Sequence, residues 1–417
     1  MFRVRDLRYG WHGPEINGRI SAKPVHCLDV DPQFSTSRRI ATGGEDRVVR
    51  VWALDSAAEI THLQDLQHRA AVLGVRWAPD SSGRLASMCS ELLRVWHPTA
   101  AQGQKLQKLE DRKASASVTD PMTDLRWSSD GARVFAGLDC KRRVRIFDSD
   151  TMELVSELAM GGDKPSVLQG LVEWRGQVVA VAGDELGVWE VTSAAPQQVS
   201  GHQWSEVASP LASEDEFPMA QRSPDVVDWP GLGAVLLIPG AARAQQQAVL
   251  MVGISDVTRP LGYIPTVGAQ SAVRVHPSHK AFAVLSRYVQ LHDVETAKPT
   301  ALVDFGGVVQ DISWGPDFLA AAVDQHVSIV TWTDARWIGA GSPACFPAQV
   351  PEPSATLQVS EAQHSAHRNC GDAATEPDAK RPKTNTPRVD PLTVLRGWKA
   401  TTIRVKPTVL ERWTDGS

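Results

Sequence analysis

A unit of three short strands recurs along the chain, and this repeat constrains the fold more than any other feature. Residues 72–98 and 122–148 both read as a strand ending in Arg-Trp, a turn with Asp and Gly, a strand of small residues, and a strand ending in an aromatic residue. Residues 25–54 follow the same order without the Arg-Trp pair. A period of about 40 residues indicates units that stack, since one unit alone cannot bury both of its faces.

The strand pattern predicts a ring of small antiparallel sheets. Period-2 alternation places one face of each strand against a neighbouring unit, and Asp and Gly supply the hairpin turns. Small residues in the second strand allow adjacent sheets to approach near a central channel. The sequence therefore predicts an all-β, seven-bladed β-propeller over residues 1–335, with residues 2–9 as the outer strand that closes the last blade.

Four weaker repeats extend the pattern, and they are predicted near 166–192, 226–254, 271–295 and 308–333. Residues 199–225, with Glu214-Asp215-Glu216, are predicted to form a long surface loop. The acidic triplet is interpreted either as a contact for a basic partner such as a histone or as an ordinary solvated loop. Lys141-Arg142-Arg143 is interpreted as a solvated strand edge, with contact to an acidic surface or DNA as the alternative.

The ends of the third strands resemble the signature of WD repeats. Arg50-Val51-Trp52 and Arg94-Val95-Trp96 stand where that family has its terminal Trp-Asp pair, and Arg145-Ile146-Phe147-Asp148 is similar. Asp46, six residues before Trp52, resembles the turn aspartate of the family, and Asp324 is assigned a structural position of the same kind. The resemblance implies structural roles for these side chains.

The second repeat also resembles the family in its buried polar residues. His68, Ser87 and Trp96 are similar to the His–Ser–Trp hydrogen-bond chain of WD repeats, with Ser90 in place of its aspartate. A buried indole N–H requires an acceptor, so these residues are interpreted as hydrogen-bond partners rather than catalytic groups.

Residues 336–417 are predicted to form a disordered tail. Nine of the 27 prolines follow residue 342, with ten Lys and Arg against eight Asp and Glu, and the apolar periodicity vanishes. Lys380, Arg381 and Lys383 form a short basic cluster that resembles a nuclear-import signal, which predicts a nuclear location. His364, His367 and Cys370 have a metal-like spacing without a fourth ligand and are interpreted as solvated residues.

An apolar and basic segment near the end interrupts the polarity of this tail. Residues 402–410 alternate apolar and basic side chains before reaching a proline. Such a segment suits β-augmentation, in which an extended peptide adds a strand to the sheet of a partner. The predicted docking residues are Ile403, Arg404, Val405, Pro407 and Leu410; an incidental apolar stretch is the alternative.

Several classes of protein are disfavoured by the composition. The five scattered cysteines include no Cys-x-x-Cys pair, and the first residues have no apolar signal region, so an intracellular protein is expected. No apolar run approaches the roughly 20 residues of a membrane span. No phosphate loop, zinc-protease motif or serine-nucleophile motif occurs. We therefore expect a non-enzymatic protein without cofactor, metal, membrane or small-molecule substrate.

A series of short motifs, in order along the chain, resembles the middle-sized propeller subunit of chromatin assembly factor 1. These are Trp11-His12-Gly13 followed by Pro24–Asp29, then Val167–Trp174, Leu236–Ala241, Thr258–Pro265 and Gln310–Trp314.

This resemblance implies a scaffold subunit of a histone H3–H4 chaperone complex in replication-coupled nucleosome assembly. The implied partners are the large subunit of that factor, histones H3–H4, and the anti-silencing-function histone chaperone, which docks on a C-terminal motif. Arg404 stands alone where the family has paired arginines. A HIRA-type, replication-independent chaperone subunit and a WD-repeat substrate receptor of a ubiquitin ligase are the alternatives.

Overall fold

The structure is a computed structural model, and it describes most of the first 332 residues and one short segment near the end. The described residues are 2–7, 12, 15–16, 19–20, 23–54, 60–98, 109–117, 122–138, 143–160, 168–182, 185–191, 197–203, 223–243, 246–266, 271–286, 288–332 and 402–404. The predicted nuclear-import residues lie outside them, as do Val405, Pro407 and Leu410.

Strands dominate the described residues, and they follow one another in a repeating order. The chain begins with β1 (Phe2–Leu7) and a hairpin of β2 (Glu15–Ile16) and β3 (Arg19–Ile20). Sheet one contains β4 (Val25–Val30), β5 (Arg39–Gly44), β6 (Val48–Leu54) and β7 (Ile60–Gln67), with the short helix α1 (Phe34–Ser37) between β4 and β5. Sheet two contains β8 (Val72–Trp77), β9 (Leu85–Cys89), β10 (Leu92–Pro98) and β11 (Leu109–Ser117). Sheet three contains β12 (Met122–Trp127), β13 (Arg133–Leu138), β14 (Arg143–Asp148) and β15 (Leu154–Ala159).

The remaining sheets repeat this order of four strands. Sheet four contains β16 (Leu168–Trp174), β17 (Gln177–Ala182), β18 (Glu185–Glu190) and β19 (Gln197–Gln203). Sheet five contains β20 (Asp225–Trp229), β21 (Gly233–Arg243), β22 (Gln246–Gly253) and β23 (Asp256–Pro265). Sheet six contains β24 (Ala272–Val275), β25 (Ala281–Leu285), β26 (Val289–Asp293), β27 (Pro299–Asp304) and β31 (Thr402–Arg404). Sheet seven contains β28 (Val309–Trp314), β29 (Phe318–Val323), β30 (His326–Trp332) and β1.

The seven sheets form a closed ring. Seven strands line the centre of the ring, one from each sheet, and are called the inner strands: β4, β8, β12, β16, β20, β24 and β28. Each inner strand contacts the inner strands of both neighbouring sheets, and β28 contacts β4. Sheet seven is built from both ends of the propeller, because β1 pairs with β30 from Phe2 opposite Trp332 to Leu7 opposite Val327. The predicted seven-bladed propeller, closed by an N-terminal strand, is confirmed. The closure pairs the outer edge of β30, which would otherwise present unpaired backbone groups.

The hydrophobic core is divided into seven layers, each between two neighbouring sheets. One layer joins Val49 and Val51 of sheet one to Val75 and Leu85 of sheet two, and comparable clusters fill the other six gaps. The small residues of the second strands permit this packing. A Cβ atom on Gly43 would lie 2.5 Å from Cγ1 of Val72, which is closer than two carbon atoms can approach.

Two register irregularities recur at equivalent places. The inner strand shifts register at its second residue in sheets one, two, three, four and seven. The fourth strand shifts against the third near an aromatic residue in sheets one to four, at Trp52, Trp96, Phe147 and Trp189. A β-bulge of this kind bends and twists its strand. The inner bulges place His26, Leu73, Thr123 and Gln310 around the central channel.

Two sequence predictions are corrected by the strand pairing. The loop predicted at 199–225 begins later, since β19 extends to Gln203 and pairs with β18; polar residues suit an outer strand that is held by backbone pairing. The basic strand β14 is not an edge, since it lies between β13 and β15, and Arg143 and Arg145 both donate to Glu157 of β15. Residues 402–404 form a strand on sheet six, within the segment that the sequence predicted to be strand-forming.

Candidate interaction site

Two equivalent positions of the repeat account for eight of the 14 tryptophans. Five tryptophans end inner strands, and three stand fifth in third strands. The inner set is Trp77, Trp127, Trp174, Trp229 and Trp314, and the outer set is Trp52, Trp96 and Trp189. The unusual number of tryptophans therefore reflects two packing solutions that each recur around the ring.

Sheet one contains a hydrogen-bond chain that begins at an outer tryptophan. The indole Nε1–H of Trp52 donates to Oγ1 of Thr42 over 2.9 Å, and Nε2 of His12 lies 3.0 Å from the same oxygen. Nδ1 of His12 lies 2.6 Å from Oδ1 of Asp46, whose other oxygen accepts from Arg50. His12 is fully buried, and burial lowers its pKa despite the neighbouring Asp46 carboxylate. Nδ1 of His12 also lies 2.8 Å from Nη1 of Arg50, so this nitrogen contacts both members of the Asp46–Arg50 ion pair.

Sequence reasoning missed the role of His12 in this chain. It had assigned a structural position to Asp46 and to Trp52, and the structure joins the two through Thr42 and His12. The spacing gave no signal, because His12 stands 30 residues before Thr42, whereas His68 stands 19 residues before Ser87 in the next repeat.

Sheet two contains the same chain without its terminal acceptor. Nε1 of Trp96 donates to Oγ of Ser87 over 2.7 Å, and Nε2 of His68 lies 2.7 Å from that oxygen. Nδ1 of His68 has no hydrogen-bond partner among the described residues, and Ser90 stands where sheet one has Asp46. Burial, together with the nearby Arg94, lowers the pKa of His68 to about 4. His68 is therefore a neutral structural residue.

Replacing Ser87 by alanine is expected to lower the free energy of unfolding by about 2 kcal/mol. The hydroxyl satisfies both the Trp96 indole and the His68 ring in a site where Ser87 is fully buried. Its loss leaves two buried polar groups without that partner, and each such group costs roughly 1–3 kcal/mol. Urea-induced unfolding of the full chain measures the change.

Ser87→Thr is the matched control, because Thr42 fills the equivalent position of sheet one with the same two partners. It retains the hydroxyl and is expected to remain within about 1 kcal/mol of the wild type. Equal losses for the two variants would show that packing, rather than the hydroxyl, stabilises this site.

The inner tryptophans join neighbouring sheets through the backbone. Nε1 of Trp77 donates to the carbonyl of Asp29, Nε1 of Trp127 to that of Arg76, and Nε1 of Trp314 to that of Arg274, over 2.8–3.2 Å. Each bond runs from one sheet to the preceding sheet of the ring. These indoles therefore help to fix the spacing of the inner strands.

Aspartates of the inner strands connect a sheet to the next one, whereas the indoles connect a sheet to the preceding one. Asp29 accepts from the backbone N–H of Trp77 at 2.8 Å, Asp124 from that of Leu171 at 3.1 Å, and Asp225 from that of Val275 at 2.7 Å. Each of these bonds links a sheet to the next one. The aspartates thus act as structural acceptors at the inner ends of the blades.

Asp311 is the centre of a charged network in the channel. Its two carboxylate oxygens lie 3.1 Å from Nη1 of Arg76 and 3.2 Å from Nη2 of Arg274. Burial alone would raise the pKa of Asp311, but the two guanidinium groups outweigh it and hold the pKa below its usual value. Burial and the nearby Arg126 lower the pKa of Arg274 to about 10, which leaves it charged at neutral pH.

A cavity of about 460 Å³ lies in this channel and is lined by inner-strand residues that include Arg76, Asp124, Arg274 and Asp311. These charged groups bond to one another or to the backbone. Among the described residues, no three His, Cys, Asp or Glu side chains lie close enough to hold a metal ion. The channel groups therefore act as a structural network.

A more open cavity of about 460 Å³ lies where the inner strands end. Trp77, Trp127 and Trp174 contribute to its wall. Arg175 is 72% exposed, lies 4.9 Å from the ring of Trp174, and pairs with Asp228 at 3.2 Å. Burial raises the pKa of Glu173 in the same wall. Aromatic and arginine side chains together are typical of protein interfaces, so this rim is the candidate docking surface of the propeller.

Those site residues predicted from the sequence that the structure describes do not line this cavity. Asp324 occupies the turn after β29 with a φ of 47°, and its carboxylate accepts from the backbone N–H of Val308 at 3.2 Å. Ile403 and Arg404 lie on β31, beside Val303 and Asp304 of the outer strand β27. The structure thus places the start of the predicted docking motif at the edge of sheet six.

Residues 16–53 match the family model described as WD domain, G-beta repeat. The match begins in β2 and ends one residue after Trp52, so it includes the strands that carry the Trp52–Thr42 hydrogen bond. No curated protein matches the chain. Among the described residues, no helix is long and apolar enough to cross a membrane.

Proposed function

We propose that this WD-repeat protein, whose propeller suits a scaffold for protein interactions, is a non-catalytic subunit of a histone H3–H4 chaperone complex similar to chromatin assembly factor 1. The observation that carries the proposal is the strand formed by residues 402–404, which adds to a sheet edge. This is the backbone conformation that β-augmentation requires of the predicted docking motif.

Two further features support the same function. The motifs that resemble the middle-sized subunit of chromatin assembly factor 1 occur in the same order along the chain, from residue 11 to residue 314. The basic cluster at Lys380, Arg381 and Lys383 fits a nuclear protein. The partners we propose are the large subunit of that factor, histones H3–H4, and the anti-silencing-function histone chaperone at the terminal motif.

The double variant Arg404→Ala with Pro407→Ala is expected to weaken binding of the purified anti-silencing chaperone to the full chain at least tenfold. The change removes the single arginine of the motif and the proline that follows it, whose ring restricts the backbone φ angle. Isothermal titration calorimetry on the wild type and the variant measures the affinity.

The matched control is Arg396→Ala with Pro391→Ala, which removes one arginine and one proline from the segment before the motif. It is expected to bind as the wild type does. Equal weakening by both double variants, or no chaperone binding by the wild type, would overturn the role of the motif. In a pull-down with the tagged full chain, a cullin adaptor recovered without histones would instead favour the ubiquitin-ligase receptor.

A further inference from the structure

The outer edge of sheet six carries an additional strand. β31 pairs in parallel with β27, with Thr402 beside Leu302, Ile403 beside Val303, and Arg404 beside Asp304. Every other pair of neighbouring strands in the described sheets is antiparallel and consecutive in the chain, apart from β1 on β30. The pairing therefore joins a distant segment of the chain to an edge that the repeat itself leaves open.

The sequence of β27 suits it to accept such a strand. Outer strands usually carry charges or prolines that discourage pairing with another chain. β1, β7, β11 and β15 contain charged residues within the strand, and β23 contains two prolines, whereas β19 has neither. In β27 the proline and the charge stand at the two ends, at Pro299 and Asp304, and the four residues between them read Thr-Ala-Leu-Val.

The register matches the two segments in chemistry. An apolar residue of β31, Ile403, stands beside the apolar Val303, and the cationic residue Arg404 stands beside the anionic residue Asp304. A shift by one position would set Ile403 or Arg404 against a residue of different character. Because residues of like polarity and of opposite charge stand side by side, this register is favoured over the two registers shifted by one residue.

The connection between the propeller and β31 is long enough for this pairing. Residues 333–401 link β30 to β31, and an extended chain of that length spans about 230 Å. Because both strands belong to one chain, the pairing is intramolecular and does not depend on protein concentration. Three register pairs make a short ladder, so the strand is released at times although most molecules hold it docked.

We propose that the edge of β27 is a docking site for an extended peptide segment, and that residues 402–404 of the same chain occupy it and thereby restrict access to the terminal docking motif. Backbone groups that pair with β27 are withdrawn from a partner, so a partner that uses them binds only after release. The effect on the partner rests on the proposed function, whereas the docked strand does not.

Hydrogen exchange of the full chain tests the docked strand without any partner. In the variant Ile403→Pro with Arg404→Pro, β31 loses the backbone N–H groups and the geometry that a ladder requires. We expect the amides of residues 300–304 that face β31, rather than those that bond to β26, to exchange at least tenfold faster than in the wild type. The control Thr414→Pro with Asp415→Pro places the same two prolines outside the strand and should leave that exchange unchanged. Equal exchange in all three proteins would overturn the proposal.

A second experiment tests whether the docked strand restricts access to the terminal docking motif. It measures the affinity for the partner in variants of β27, so that the motif itself is unchanged. Asp304→Lys places a like charge beside the register position of Arg404, and it is expected to tighten binding of the purified anti-silencing chaperone about tenfold as the docked population falls. Asp304→Asn keeps an acceptor for the Gly306 amide, which lies 2.9 Å from Oδ1 of Asp304, and should give a smaller gain.

The outcomes separate the two proposals. If exchange at residues 300–304 responds to the prolines and Asp304→Lys binds no more tightly than the wild type, the restriction is overturned. If exchange responds and neither protein binds the chaperone, the proposed partner is wrong, and the docked strand stands. If exchange does not respond while the chaperone binds, the docking edge fails and the proposed function survives.

Discussion

Lowering the pH from 7 to 5 is expected to reduce the free energy of unfolding by about 6 kcal/mol, because the unfolded chain takes up protons at three histidines that stay buried and neutral in the folded protein. Burial lowers the pKa of His68, His276 and His292 to about 4. His292 is fully buried and stacks on the ring of Phe282, with ring centroids 4.8 Å apart. His12, whose pKa is lowered by burial as well, acts in the same direction.

The pH range of the effect follows from the two states of each imidazole. In the unfolded chain a histidine has a pKa of about 6.5 and takes up a proton first. The stabilisation is therefore complete above about pH 6.5 and is lost progressively as the pH falls towards 4. At pH 5 each of the three histidines contributes a loss of about 2 kcal/mol. Asp130 and Asp148, whose pKa values are lowered by hydrogen bonds, lose their contribution only at more acidic pH.

Urea unfolding of the full chain at pH 7, 6 and 5 measures this dependence. His292→Leu fills the buried site with an apolar side chain that cannot take up a proton. It is expected to reduce the loss of unfolding free energy between pH 7 and pH 5 by about 2 kcal/mol. His62→Gln is the control, since His62 is 47% exposed and pairs with Asp65 at the surface. If the stability of the wild type is unchanged between pH 6.5 and 5, the buried neutral histidines do not behave as described.

Replacing Asp311 by alanine is expected to lower the free energy of unfolding by about 3–5 kcal/mol. The carboxylate neutralises Arg76 and Arg274 in the channel, where all three side chains are less than 15% exposed. Its removal leaves two buried guanidinium groups without their shared anion. Loss of one member of a buried ion pair is more damaging than loss of a surface pair, because the remaining charge stays poorly solvated.

Asp150→Ala is the matched control for this prediction. Asp150 also pairs with an arginine, Arg84 at 2.9 Å, but its side chain is 76% exposed. Its removal is expected to change stability by less than about 1 kcal/mol. Thermal or urea unfolding of the two variants measures the contrast, and similar losses in both would show that the channel network contributes no more than a surface pair.

The local pattern of the sequence was sufficient to predict the blades. The strands of the repeats at 72–98 and 122–148 were predicted because alternation, turn residues and the Arg-Trp pair all lie within a few neighbouring positions. The weaker repeats were found in the same way, and β20 to β22 correspond to the irregular one at 226–254. The start of the loop at 199 was placed wrongly, because an outer strand such as β19 carries no apolar alternation.

The hydrogen-bond chains and the channel network were harder to predict from the sequence. Ser87 and Trp96 were recognised through a repeat signature, whereas His12 was not, since its partner Thr42 lies 30 residues away. Asp311 and Arg76 carry no signature and lie 235 residues apart. Their pairing exists because ring closure places the inner strand of the seventh sheet beside that of the first, where the side chain of Arg76 from the second sheet reaches Asp311.

By itself, the sequence determined the all-β repeat, the number of blades and the strand-forming segment near the end, since each depends on residues close together in the chain. Only the tertiary structure decided which distant groups meet: the channel network around Asp311, the buried neutral histidines, and the edge of β27 on which residues 402–404 lie. Closure of a ring fixes those distances through the packing of whole sheets, which no local pattern encodes.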